Sequence, residues 1–93
     1  MIFEPDNDVA YHHWLDANPS GFVLNSDKRR SNPNNPMLHG SLCFHINDKE
    51  WPNYTTAEYM KVCSLDRDEL EEWVMRDGRG MKFCKSCESR GLV

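Results

Sequence analysis

The sequence predicts a small α+β domain with a short antiparallel sheet and two helices, and three observations carry that expectation. The stretch DRDELEEWVMRDG holds a helix-start signal, an apolar stripe and a terminal glycine. GFVLN and MLH are short apolar runs separated by a polar loop, the pattern of two paired strands. At 93 residues the chain makes one domain, 1–93, of a size at which a single apolar core is only marginally sufficient, so a staple is expected.

Taken in order, DNDVAYHHWLDANP reads as a short helix capped by Asn7 or Asp8 and stopped at Asn18-Pro19, with Val9, His13 and Trp14 along one face. Ser20-Gly21 turns the chain into the strand Phe22–Leu24. The loop NSDKRRSNPNNP follows, and its two prolines and four asparagines exclude a regular helix or a central strand. MLHG returns as the second strand of a long-looped hairpin. Ser41 to Ile46 is short enough for one helical turn or a metal-binding corner, and 47–52 reads as loop.

Thr55 and Glu58 match a capping box, whereas Tyr59 to Cys63 suits a strand, which predicts a brief turn at 55–58 and a strand at 59–63. The helix at 67–77 is expected to have Asp66 as its cap, Glu69 completing the box, Leu70, Trp73 and Val74 as the buried stripe, and Gly78 beyond its last turn. SRGLV frays unless Leu92 or Val93 docks.

The chemistry-bearing residues are His39 and Cys43 in MLHGSLC, and Cys84 and Cys87 in FCKSC. Imidazole nitrogen and thiolate sulfur suit zinc, and two local pairs limit the entropy lost when four donors converge. These four residues are the predicted ligands of a structural zinc ion, which makes the chain a zinc-stabilised domain. His45 in place of His39, or Cys63 in place of one cysteine, are the alternative ligands; the plain reading of Cys63 is a buried free thiol.

Thiol exchange would need CxxC between a strand and a helix of a larger alternating fold, and only six residues follow Cys87. A catalytic zinc keeps an open position, and neither HExxH nor a deaminase-type HxE with PCxxC is present. The pair His12-His13 near Asp16, and the letters of His45-Ile46-Asn47-Asp48, supply no convincing catalytic constellation. The expectation therefore leans away from an enzyme and names no catalytic residue.

A formal charge of -4 gives no general attraction to nucleic acid or anionic membrane. Positive charge gathers locally. Lys28, Arg29 and Arg30, with Lys82 and Lys85 near the cysteine pair, offer phosphate contacts, and Asn32 offers hydrogen bonds to base edges. Tyr11, Trp14 and Trp51 are candidate aromatic anchors for a protein partner or for self-association. Each of these residues also has a plain structural role available.

No apolar run approaches the roughly 18 residues of a membrane span, and no secretory leader is visible, so the expected compartment is the cytoplasm. Reduced thiols there favour metal over disulfides; an extracellular chain would instead allow two disulfides. The HxxxC and CxxC pairs, with the GFVLN-to-MLH strand pairing, resemble small zinc modules that accompany bacterial DNA-processing or defence enzymes. That resemblance implies an accessory role and transfers no substrate or catalytic residue.

The expected function is thus a non-catalytic zinc-stabilised module that binds protein. The alternative is a nucleic-acid-binding module using the basic loop 28–30.

Overall fold

The computed structural model describes residues 1–29, 36–48, 54–55, 58–76 and 78–93. Among the described residues seven elements follow one another: α1 (Asp8–Ala17), β1 (Phe22–Asp27), β2 (Met37–Gly40), β3 (Tyr59–Ser64), α2 (Arg67–Arg76), β4 (Lys82–Phe83) and α3 (Lys85–Ser89). The strands form one sheet in the order β3-β1-β2-β4. β1 pairs antiparallel with both β2 and β3, and β4 joins β2 in parallel. The sheet is therefore mixed and mostly antiparallel. Its parallel member arises because α2 carries the chain across the sheet after β3, a crossover that a tight turn cannot make.

The period-2 alternation of strands sorts the side chains into two cores. Cys63, Val23 and His39 form one cross-strand row, and Val62, Leu24 and Leu38 form the next. The second row faces α2, where it packs with Leu70 and Val74. The first faces α1 and packs with Tyr11, Leu15, Ile46 and the other three cysteines, Cys43, Cys84 and Cys87. His39 thus points into a core because of its parity in β2. A radius of gyration of 12.0 Å agrees with the value of about 12 Å for a compact chain of this length.

β1 is longer than Phe22–Leu24 because its polar residues find partners. Asn25 Oδ1 accepts from the buried Lys61 Nζ at 2.7 Å, and Asp27 pairs with Arg79 at 3.2 Å. The β1–β2 pairing and the strand beginning at Tyr59 agree with the sequence expectation.

In α1, Asn7 is the cap, its Oδ1 accepting from the Ala10 amide at 2.8 Å. The buried stripe is Tyr11 and Leu15; Val9 and His13 are exposed, which corrects the predicted face. The two largest i,i+4 apolar side chains win the core position. In α2 the buried residues are Leu70 and Val74, with Trp73 packed beside them. Asp66 Oδ1 accepts from the Asp68 amide, and Gly78 takes φ 70° after the last turn. Glu69 does not close a capping box. Its carboxylate instead accepts from Ser64 Oγ at 2.7 Å and from the Met1 amine.

α3 is a third helix, absent from the sequence expectation, and the tail after it docks. The Leu92 amide donates to the Cys87 carbonyl at 2.8 Å, and Leu92 and Val93 pack on the core. Gly40 is required by this docking, since a Cβ there would lie 2.8 Å from both Leu92 Cβ and the Leu92 carbonyl oxygen. Gly40→Ala is expected to destabilise the fold by about 1–3 kcal/mol through overpacking. A urea titration would check the magnitude, and amide exchange would show the loss of protection at Leu92.

Candidate metal centre

Each donor of the site is placed by a different local device. His39 sits on the inward face of β2. After Gly40 the chain turns back on itself, with the Cys43 amide donating to the Gly40 carbonyl at 3.0 Å and the Ile46 amide to the Cys43 carbonyl at 3.1 Å. That double turn aims Cys43 inward. β4 delivers Cys84, whose amide donates to the Leu38 carbonyl at 3.0 Å, and the single turn of α3 brings Cys87 back to the same point.

The ligand atoms of His39, Cys43, Cys84 and Cys87 all lie within 4.8 Å of one another. All four residues are buried, Cys43 and Cys87 completely. Tetrahedral coordination by sulfur and nitrogen, with bonds of about 2.0–2.3 Å, sets donor separations of roughly 3.3–3.8 Å. The cluster needs only slight contraction to meet that geometry.

The polar state of the site argues in the same direction. His39 Nδ1 is buried and has no hydrogen-bond partner, a costly condition for a protein interior. Cys43, Cys84 and Cys87 are free thiols rather than a disulfide. Burial pushes Cys87 up to about 12 and raises Cys43 as well. For Cys84, burial also opposes ionisation, but the Cys87 and Ser86 amides favour the thiolate and the net shift is downward. Burial, helped by His45 and Lys61, lowers His39 to about 4, so its imidazole stays neutral, the ligating form. A divalent cation is the group that converts three thiols and one imidazole into a satisfied set. The cluster is geometrically consistent with a structural zinc site.

Cys63 is not one of the converging donors; it packs in the apolar core, where burial pushes its thiol up to about 12. His45 is exposed, yet its Nδ1 lies 3.5 Å from Cys43 Sγ and 3.7 Å from Cys84 Sγ. Its approach was legible only as a competing ligand two residues from Cys43. His13 is exposed, and the half-buried His12 ring stacks edge-on against Tyr54 at 5.5 Å.

The predicted binding residues separate. Tyr11 is wholly buried and its hydroxyl donates to the Ile46 carbonyl at 2.6 Å, so it is a core residue and not a surface anchor. Trp14 is half-buried against the same core. Trp51, Arg30 and Asn32 lie outside the described residues. Lys28, Arg29, Lys82 and Lys85 are exposed.

Signals the sequence reading missed are Leu42 and Phe44, 54% and 60% exposed. They carry no role in the sequence reading; with Cys43 aimed inward both neighbours turn out to solvent. Among the described residues no helix is long and apolar enough to cross a membrane.

Comparison of the chain with models of protein families, with curated proteins and with solved structures finds no match.

Proposed function

We propose that residues 1–93 form a non-catalytic, zinc-stabilised binding module whose partner is a protein, working in the cytoplasm, where thiols stay reduced. One observation carries the reading: the turn that supplies the buried ligand Cys43 also holds Leu42 and Phe44 out in solvent. Four donors complete a tetrahedral shell and leave no position for a reacting water. The ion's chemistry is then confined to holding the turn, and a rigid turn presents its apolar tip with little ordering cost on binding. An aromatic side chain on a fixed support is the kind of anchor that dominates protein interfaces.

The nucleic-acid reading stands second. Lys28 and Arg29 are exposed at the end of β1, and β4 places the exposed Lys82 beside Met37, which also pairs with Asn25 near that end. One experiment separates the two. A photo-crosslinking amino acid placed at Phe44, and separately at Arg29, is activated in cells. The expected result is a protein adduct of discrete mass from position 44, lost on Leu42→Ser. Adducts to DNA or RNA from position 29, with salt-sensitive retention of the purified chain on single-stranded nucleic acid, would favour the basic surface instead.

A further inference from the structure

We infer that the His45 side chain is a positioning residue for the metal centre, donating one shared N–H···S hydrogen bond to the sulfurs of Cys43 and Cys84 without itself being a ligand. The inference rests on the reading of the four-donor cluster as a zinc site. His45 Nδ1 stands 3.5 Å from one sulfur and 3.7 Å from the other, both within reach of a weak bond to sulfur. It is not among the four residues whose donor atoms converge.

Charge explains why such a donor belongs there. Three thiolates and one neutral imidazole around a divalent ion leave one net negative charge, and that charge is buried. Donors facing the sulfurs spread it. The Gly40 amide lies 3.5 Å from Cys87 Sγ, the His45 amide serves Cys43, and the Ser86 and Cys87 amides serve Cys84. The His45 ring is the only side chain among the described residues seen to approach two of the sulfurs from outside the ligand set. Its orientation is held by Phe44, whose ring centroid lies 4.2 Å away at 39°.

The consequence is chemical as well as structural. A hydrogen bond draws electron density from a thiolate and lowers its nucleophilicity, and an exposed ring beside two ligand sulfurs also obstructs approach from solvent. His45 thus slows attack on Cys43 and Cys84 and retards loss of the ion.

The test uses the full zinc-loaded chain and iodoacetamide, in which a thiolate sulfur displaces iodide and the alkylated sulfur leaves the metal. Zinc content is measured first, and a chain that binds none overturns the metal reading itself before any rate is compared. His45→Phe keeps a ring on Phe44 and removes the donor; His45→Gln keeps an N–H. With one zinc per chain in all three proteins, His45→Phe is expected to be alkylated about tenfold faster, the scale of one charge-assisted hydrogen bond, and His45→Gln to stay near the parent rate. Equal rates for all three overturn the inference. So does loss of zinc from His45→Phe with retention in His39→Ala, which would make His45 the ligand. A second readout needs no variant: long-range proton–nitrogen spectra of the parent protein must show the His45 proton on Nδ1, and the opposite tautomer overturns the inference.

Discussion

Chelation of zinc, or the double replacement Cys84→Ser with Cys87→Ser, is expected to unfold the C-terminal half and the Gly40–Ile46 turn together and to lower the thermal midpoint by more than about 15 °C. The argument starts from how little else holds these pieces. β4 is two residues long, and α3 has five, far below the length at which an isolated helix is stable. Leu92 and Val93 add apolar contact, and Arg67 lies over the Phe83 ring at 4.7 Å. Those contacts are small beside the roughly 10–16 kcal/mol of apparent binding free energy for a structural zinc ion in small peptides, against a typical total stability of about 5–15 kcal/mol.

A metal held by these four donors would join β2, the following turn, the end of β4 and α3 in one bond network. Its loss would return the buried Cys43 and Cys87 to neutral thiols, with no partner for the His39 nitrogen. Amide spectra with and without chelator check the outcome; identical dispersion and an unchanged midpoint would remove zinc from the account of this fold. The pH dependence has a definite sign. The bound ligands are deprotonated and the released thiols bind protons, so release takes up protons and the zinc-dependent stability falls as pH falls.

The convergence of His39, Cys43, Cys84 and Cys87 was legible because each half carries its own spacing, and a covalent register of three or four residues survives any uncertainty in the surrounding fold. The β1–β2 pairing and α2 were legible for a similar reason: a polar loop brackets two apolar runs, and both ends of α2 announce themselves. β4 and α3 were not. Two strand residues and five helical ones are too few for a period to show, and the parallel pairing of β4 with β2 depends on the path of α2 over the sheet.

Surface and core were confused at Tyr11. Tyr11 reads as amphipathic, but a buried carbonyl at Ile46 meets its hydroxyl and removes the need for water. Leu42 and Phe44 carried no expectation, and the turn that buries Cys43 exposes both. Both outcomes depend on where a partner group sits in space, which no local pattern encodes.

The second large effect is expected at Asp8, which no functional motif distinguishes. Its carboxylate accepts from the Tyr54 amide at 3.0 Å, from the Thr55 amide at 2.9 Å and from the Thr55 hydroxyl at 2.6 Å. One side chain at the start of α1 therefore ties down the segment entering β3, and its charge also favours the N-terminus of the helix. The segment is fastened again by Lys61, 3% exposed, whose Nζ donates to the Tyr54 carbonyl at 2.8 Å. Burial lowers Lys61 to about 8, and the negative charge of Asp8 works against that shift.

Asp8→Ala is expected to cost about 2–4 kcal/mol, since hydrogen bonds to a charged group contribute roughly 1.5–3 kcal/mol each and three sharing one carboxylate do not add. Asp8→Asn keeps an acceptor oxygen and should lose about half as much. It also removes the charge, so the Lys61 ammonium should titrate lower still. Denaturant unfolding gives the first quantity and the Lys61 side-chain resonances give the second. A loss below about 0.5 kcal/mol in Asp8→Ala, the range of an ordinary surface substitution, would show that the Tyr54–Thr55 segment is held by Lys61 and the aromatic packing of Tyr11 and Tyr54 instead.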